Sequence, residues 1–313
     1  MRGPSSASVK AFVAVTDQDW YDFLQGRPDL DEVNFWQPGG RRLFNVLDLG
    51  EPLLFKLHWP HNYIVGGGFF AHASLLDARL AWDAFAAKNG AATFDEMCDR
   101  IERYRRDDLD PRREYRIGCI ILRDPFFFPR VAWIPAPSDF KKETVQGKTY
   151  DLGAGLGKAL WDDVTARLSA AGMTTVVSDG SPVGSIVALA KRRLGQGTFR
   201  VLITDSYERR CAVTKEKALP VLDAAHIRPV SEGGEHRVDN GLLLRSDIHA
   251  LFDRGYVTVT PEYRFRASPH LKVDFDNGEH YRQFDGEEIS LPRRELRPSP
   301  QFLEWHGDTI FRR

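Results

Sequence analysis

The chain has 313 residues, of which 42% are hydrophobic and 12% aromatic, and its formal net charge is −1. This composition favours folded domains over a disordered chain, and the length accommodates two of them. The near-zero charge excludes binding of nucleic acid through a general positive field, so any such surface has to be a local basic patch.

The first half of the chain alternates predicted strands and helices. Apolar, β-branched runs predict strands over residues 10–16, 53–59, 64–76, 115–129 and 131–137, and residues 147–152 close this half of the chain. Helical spacing of apolar residues predicts helices over residues 17–24, 77–88 and 94–106. An aromatic segment, NFWQPGG at 34–40, is expected to be a loop. Strands with interposed helices favour a small β-barrel of mixed α+β type.

The second half begins with a predicted bridging helix and a linker at 172–181. Helices are predicted over residues 156–170, within the segment 153–171, and over residues 182–193 and 195–211. Short strands and turns are expected after Tyr256. The basic clusters Lys191–Arg193 and Arg209–Arg210 are candidate phosphate contacts, although a solvated helix face is the commoner explanation.

Residues suited to catalysis concentrate in the segment between these helices and Tyr256. Asp223 and His226 lie in an apolar run that predicts a strand, and the turn-rich loop after it predicts an antiparallel return. Asn240 precedes a second apolar run and can fasten that loop through hydrogen bonds to its backbone. His249 and the aspartate four residues after it share one face of a helix, where a metal ion can bind. The segment therefore predicts strand, turn, strand and helix around one ion.

This segment resembles the HNH nucleases, whose ββα-metal motif is named for a histidine, an asparagine and a histidine. Here they are His226, Asn240 and His249, separated by 14 and 9 positions, and the resemblance assigns Asn240 to the catalytic site. The surrounding sequence is also typical of the family: AAHIRP, EGG, NGLLL and HALFDRGY. Spacing, turn residues and apolar flanks agree together, which makes the resemblance specific.

The resemblance implies hydrolysis of phosphodiester bonds. It makes His226 the general base that takes a proton from the attacking water, and His249 a metal ligand. Many members carry a second ligand directly before the base, where this chain has Ala225, so Asp223 on the same strand face is assigned as its substitute. Asp253 either binds the ion or orients His249. Two carboxylates and one imidazole favour one Mg²⁺ or Mn²⁺ per site, although Zn²⁺ or Ni²⁺ can occupy such a site.

The N-terminal half resembles the EVE branch of the PUA-like superfamily, whose relatives include domains that accommodate a flipped, modified base. The resemblance rests on NFWQPGG, on GEPLLFKLHW followed by IVGGGFFAHASLL, and on AWDAFAAKNGA. A protein that checks one base has to extrude it and hold it between aromatic faces, with polar groups that read its edge. The predicted pocket residues are the aromatic Phe35, Trp36, Trp59 and Tyr63 and the polar Asn34, Gln37 and His58. For each of them, packing in the core is about as common an explanation.

Together these features predict an α+β protein with an EVE/PUA-like modified-base recognition domain at 1–152, a helical linker at 153–181 and an HNH nuclease domain at 182–313. The predicted function is restriction of foreign DNA, through cleavage of double-stranded DNA that contains 5-methyl- or 5-hydroxymethylcytosine. A homodimer, or transient pairing on DNA, would allow both strands to be cut. The alternatives are an HNH nuclease without modification dependence, a non-catalytic modified-base binding protein and an RNA-directed enzyme.

The sequence also predicts the compartment. The N-terminus lacks a signal-peptide pattern, and no apolar run approaches membrane-spanning length. A cytoplasmic protein without membrane contact is therefore expected.

Overall fold

The structure is a computed structural model that describes residues 9–27, 30–105, 109–173, 194–276 and 278–313. The chain forms two compact units, residues 1–192 and residues 193–313. Both units combine strands with helices, nine helices in all within the described ranges, which confirms the predicted α+β class. The predicted helix 182–193 and the cluster Lys191–Arg193 lie outside the described residues. Within those ranges, no helix has the length and apolar character needed to span a membrane.

Seven strands of the N-terminal unit form one mixed sheet. They are β1 (Lys10–Thr16), β2 (Glu32–Gln37), β3 (Pro52–Leu57), β4 (Tyr63–Asp77), β5 (Arg116–Phe127), β6 (Ile134–Pro135) and β7 (Gly147–Asp151). The strand order is β2-β5-β4-β3-β1-β7, and β6 pairs with β4. Strands β1 and β3 run parallel, whereas the other pairs are antiparallel. Because β2 and β7 lie at opposite ends of this order, closure of the sheet into a barrel stays a prediction.

The helices of the N-terminal unit cover both faces of the sheet. They are α1 (Gln18–Gln25), α2 (Ala78–Phe85), α3 (Phe94–Arg105) and α4 (Gly155–Ala170). Successive residues of a strand point to opposite faces, so Ala11 and Val13 of β1 belong to one core while Phe12 and Ala14 belong to the other. Helix α4 packs in the first core and helix α1 in the second.

Helix α4 is part of the N-terminal unit. Leu160, Trp161 and Val164 are buried in the same core as Ala11. Each such side chain contributes about 1.5–3 kcal/mol when it is fully buried, which ties the helix to the sheet. The sequence predicted that a helical linker begins at 153, whereas this helix completes a core and the chain divides between 192 and 193.

The aromatic segment at 34–40 begins as a strand, so the prediction of a loop is wrong for its first four residues. Strand β2 pairs antiparallel with β5 and puts Phe35 opposite Ile120. The turn that follows requires glycine at position 40, where φ is +53° and a Cβ atom would lie 1.9 Å from the backbone oxygen of Arg116.

The C-terminal unit consists of two small antiparallel ribbons and five helices among its described residues. Its elements are α5 (Gln196–Ser206), β8 (Leu222–His226), β9 (Gly241–Arg245), α6 (Ser246–Asp253), β10 (Val257–Val259), β11 (Phe265–Ala267), α7 (His270–Phe275), α8 (Glu279–Arg282) and α9 (Pro300–Thr309). The ribbons are β8-β9 and β10-β11. One core joins Phe199 of α5, Leu243 of β9, Phe252 of α6 and Leu303 of α9.

The sequence analysis predicted only short strands and turns after Tyr256, which is wrong for α7, α8 and α9. Helix α9 begins at Pro300, directly after Ser299. Proline is common at the first position of a helix, because its missing N–H has no partner there in any case. The Ser-Pro pair was therefore a readable start signal for this helix.

His306 of α9 is 2% exposed. Its ring stacks on Phe252, with centroids 3.7 Å apart, and its Nδ1 and Nε2 atoms lie 2.8 Å from Thr258 Oγ1 and 3.1 Å from the Phe252 carbonyl oxygen. Burial lowers the pKa of His306 to about 4. The imidazole is therefore a neutral part of the core at neutral pH.

We expect His306 to make the stability of the C-terminal unit depend on pH. In the unfolded chain its pKa is near 6.5, so the unfolded state binds the proton first. The contribution of the neutral imidazole to stability is complete above pH 6.5 and is lost as the pH falls toward 4. Relative to His306→Gln, the free energy of unfolding of the natural protein should fall by ~3 kcal/mol between pH 7 and pH 4, measured by urea unfolding. If the difference in the free energy of unfolding between the natural protein and His306→Gln does not change with pH, this prediction is contradicted.

Candidate functional site

Two strands and a helix frame the candidate site in the C-terminal unit. Strands β8 and β9 are antiparallel, with Asp223 opposite Leu244 and His226 opposite Gly241. Helix α6 follows β9 directly, so the predicted order of strand, turn, strand and helix is confirmed. A Cβ atom on Gly241 would lie 2.3 Å from Ile203 Cδ1, so glycine allows helix α5 to pack against the ribbon.

Asn240 fastens the loop between the two strands. Its side chain is fully buried, its Oδ1 accepts the Arg228 N–H at 2.9 Å, and its Nδ2 donates to the carbonyl oxygens of Arg228 and Glu235 at 2.9 and 3.0 Å. One amide therefore ties Arg228, two residues after His226, to Glu235, directly before His236.

We expect Asn240→Ala to destabilise the C-terminal unit by ~2–4 kcal/mol, because three partly buried hydrogen bonds to the backbone are lost. The side chain of Asn240→Asp keeps the acceptor but loses the donors. The free energy of unfolding of this variant should therefore lie between those of Asn240→Ala and the natural protein. Thermal or urea unfolding measures the effect, and Gln301→Ala, which truncates an exposed amide of the same unit, is the matched control. Equal stability of Asn240→Ala and the control would contradict the role of this amide.

His226 is held between an aromatic ring and a second histidine. Its imidazole stacks on Phe199, with centroids 4.0 Å apart and planes 10° apart. Burial, together with the nearby imidazoles of His236 and His249, lowers the pKa of His226 to about 4. The ring is therefore neutral at pH 7, which is the form that accepts a proton.

His236 is a site residue that was not predicted from the sequence. Its Nδ1 atom lies 3.0 Å from His226 Nε2, and its ring centroid lies 4.9 Å from that of His226. No periodicity relates two residues ten positions apart across a turn. The readable signal was a histidine in the predicted return loop itself, EGGEHRVDN, whose end Asn240 was already expected to fix.

His249 contacts both of the predicted carboxylate ligands. Asp223 Oδ2 lies 3.3 Å from His249 Nδ1, and Asp253 Oδ2 lies 3.4 Å from His249 Nε2. All three side chains are partly exposed. The structure thus brings the three residues together, with one carboxylate at each ring nitrogen.

This donor set suits a divalent cation by its chemistry, since carboxylate oxygens and an imidazole nitrogen are ligands of Mg²⁺, Mn²⁺ and Zn²⁺. Across the described ranges, however, no group of three or more His, Cys, Asp or Glu side chains is already arranged to hold a metal ion. A ligating histidine normally donates its other ring N–H to a carboxylate. In this structure each ring nitrogen of His249 already faces a carboxylate.

Arg209 and Arg210, the basic pair after helix α5, differ in their contacts. Arg209 lies 3.3 Å from Asp205 and so is partly neutralised. Arg210 is exposed and forms no ion pair with a described residue. Arg210 is thus the member of the pair that is open to a phosphate.

A cavity of about 900 Å³ opens in the N-terminal unit. Four of the seven predicted pocket residues line it, namely Phe35, Trp36, Gln37 and His58. The Trp36 Nε1 atom donates to the Asn89 carbonyl oxygen at 2.9 Å, which orients its indole. The volume lies within the range of small-molecule sites.

The other three predicted pocket residues do not line this cavity. Asn34 is fully buried and donates its Nδ2 to Asn89 Oδ1 at 2.9 Å. Trp59 is 61% exposed, with Lys142 Nζ 3.9 Å from its ring centroid. Tyr63 packs on Trp133, with ring centroids 5.9 Å apart.

Asp17 lines the cavity, although the sequence placed it only at the start of a predicted helix. It stands at the N-terminus of α1, but its side chain accepts no capping hydrogen bond. Its Oδ1 instead accepts the Tyr104 hydroxyl and lies 3.3 Å from His58 Nε2. Burial raises the pKa of Asp17, but the hydrogen bonds of His58 and Tyr104 outweigh it, so the pKa is lowered and the carboxylate is charged.

Comparison with protein families identifies the C-terminal site. Residues 211–260 match the family described as HNH endonuclease. The chain thus carries an HNH endonuclease domain from Cys211 through β10, which indicates a nuclease-type hydrolase. No curated protein matches the chain.

Solved structures similar to the chain include an ASCH protein from Zymomonas mobilis, at 10% identity, over 49% of this chain and 94% of that chain, with a TM-score of 0.34. They also include TagI, described as a modification-dependent restriction endonuclease, at 14% identity, over 95% of this chain and 81% of that chain, with a TM-score of 0.28. Similarity at this level carries no conclusion about the fold or the function.

Proposed function

We propose that this protein is a metal-dependent DNA endonuclease of the HNH type that recognises modified cytosine through its N-terminal unit and acts in restriction of foreign DNA. One observation carries the nuclease part: the residues that match the HNH family fold as strand, turn, strand and helix, with His226 facing His236 and His249 facing two carboxylates.

His226 has the role of general base. It is neutral at pH 7, so it can take the proton of an attacking water while that water forms a bond to phosphorus. Asn240 keeps the loop around it in place. Asp223, His249 and Asp253 are the residues that would hold the metal, Mg²⁺ or Mn²⁺ by their chemistry, and the ion would stabilise charge on the phosphate as a Lewis acid.

The N-terminal cavity has the role of base pocket. Trp36 and Phe35 offer aromatic surface for stacking, which is worth ~1–3 kcal/mol per base. Gln37, His58 and Asp17 offer polar groups to the edge of the base. Arg41 and Arg42 also line the cavity and are exposed, so they can contact the DNA backbone.

Asp17 distinguishes the candidate bases. 5-Methylcytosine and thymine carry the same methyl group, but cytosine has a 4-amino donor where thymine has a carbonyl acceptor. A charged carboxylate accepts from the amino group and repels the carbonyl oxygen. The charge on Asp17 therefore favours a modified cytosine over thymine.

The test of the nuclease part uses the full chain and a plasmid that contains 5-methylcytosine. Nicking or linearisation should occur with Mg²⁺ or Mn²⁺, and EDTA or His249→Ala should abolish it. One nuclease site per chain predicts nicked circles before linear product, unless two chains act together. Tight binding without cleavage under any ion would instead favour the non-catalytic binding protein, and preferential competition by RNA would favour the RNA-directed enzyme.

A further inference from the structure

The hydrogen bond between His226 and His236 constrains which nitrogen of His226 can act. The contact joins His226 Nε2 to His236 Nδ1 at 3.0 Å. A neutral imidazole has one N–H donor and one lone-pair acceptor. In a contact between two neutral rings, one of the two facing nitrogens therefore donates and the other accepts.

The hydrogen bond has two possible arrangements, with either His236 or His226 as the donor. Only one of them leaves His226 with a free lone pair that can accept a proton. If His236 donated, the single lone pair of His226 would be occupied at Nε2 and its proton would sit on Nδ1. If His226 donates from Nε2, its lone pair is at Nδ1 and free. A general base at His226 thus requires His236 to be the acceptor.

We propose that His236 is a positioning residue of the nuclease site, which accepts the Nε2–H of His226 and so holds the Nδ1 lone pair of that ring ready for a proton. The proposal rests on the proposed role of His226 as general base. Which tautomer a histidine adopts is set by the hydrogen bond of its other nitrogen, and an imidazole acceptor sets it here.

The contact also acts during the reaction. A water O–H bond breaks, its proton goes to His226 Nδ1, and its oxygen forms a bond to phosphorus while the P–O ester bond breaks and the leaving oxygen takes a proton from solvent. His226 is then an imidazolium with two N–H groups. Its hydrogen bond to His236 becomes charge-assisted, and such bonds are roughly twice as strong as neutral ones.

Three elements keep the pair in register. Phe199 of α5 stacks on His226 and restricts rotation of that ring out of its plane. Asn240 binds the carbonyl oxygen of Glu235, the residue directly before His236. The ribbon fixes the backbone of His226, the last residue of β8, opposite Gly241. The rings thus meet because the ribbon, the loop and α5 fix them separately.

The experiment compares His236→Leu, which has no acceptor, with His236→Asn, whose amide oxygen can accept. The kcat of DNA cleavage at saturating metal should fall on the order of 100-fold in His236→Leu with KM unchanged, and His236→Asn should recover most of the loss. His280→Leu, at an exposed histidine of the same unit, is the control and should keep the natural kcat. Thermal unfolding verifies that each variant is folded.

A second measurement needs no variant. The ¹⁵N chemical shifts of the natural protein should show His226 protonated at Nε2 and unprotonated at Nδ1. The Nδ1–H tautomer, or natural kcat in a folded His236→Leu, would overturn the proposal. If His226→Ala cleaves as fast as the natural protein, the proposed nuclease mechanism itself fails, which separates the two outcomes.

Discussion

Replacing His226 by alanine should lower the rate of DNA cleavage by about 10²–10⁴-fold, the usual contribution of a general base. The loss should appear in kcat, because the side chain is half-buried against Phe199 and is not part of an exposed basic surface. DNA binding in EDTA, measured by fluorescence anisotropy, should stay unchanged. This split between catalysis and binding is what a proton acceptor predicts.

His270→Ala is the control for that experiment. His270 lies in the same unit, its side chain is 43% exposed, and its nearest carboxylate is 3.9 Å away. Its replacement should leave both cleavage and binding at the natural level. If His226→Ala cleaves DNA as fast as this control, the assignment of His226 as the general base is contradicted.

Asp17→Asn should remove the preference for 5-methylcytosine over thymine. An amide can turn its N–H₂ group toward the thymine carbonyl, whereas the charged carboxylate only accepts. One such base contact is worth ~1–3 kcal/mol of discrimination, so the ratio of the two dissociation constants should fall by roughly 5- to 150-fold. The ratio is measured in EDTA on duplexes that differ at a single base.

Asp19→Asn is the matched control, two residues further along α1. Asp19 is exposed and pairs with Arg103 at 3.3 Å, and it does not line the cavity. Its replacement should leave the ratio unchanged. An unchanged ratio in Asp17→Asn as well would show that another group reads the base.

The order of strand, turn, strand and helix around His226 could be predicted because it depends on residues that are close together in the sequence. The apolar runs around His226 and after Asn240, the turn residues between them and the helical spacing of His249 and Asp253 each depend on a few neighbouring residues. Contacts set by tertiary packing could not be predicted in this way. His236 meets His226 only because Asn240 ties the loop, and Phe199 meets it only because Gly241 leaves room for α5.

The residues that line the proposed base pocket could be predicted only in part. Aromatic and polar residues near 34–37 and 58–63 were visible in the sequence, but which of them line the cavity depends on the folded structure. Asn34 is fully buried inside β2, whereas Trp36 and Gln37, at the end of that strand, line the cavity. Asp17 was visible only as the first residue of a predicted helix, and its contacts with His58 and Tyr104 depend on the folded structure.

The most direct test of the whole account is digestion of otherwise identical DNA that contains cytosine, 5-methylcytosine, 5-hydroxymethylcytosine or its glucosylated form, by the full chain with Mg²⁺ or Mn²⁺. We expect cleavage of a modified substrate and not of plain DNA, and no cleavage of either by His226→Ala. Equal cleavage of plain and modified DNA would contradict the proposed recognition of modified cytosine, and no cleavage of any substrate with either ion would contradict the proposed nuclease.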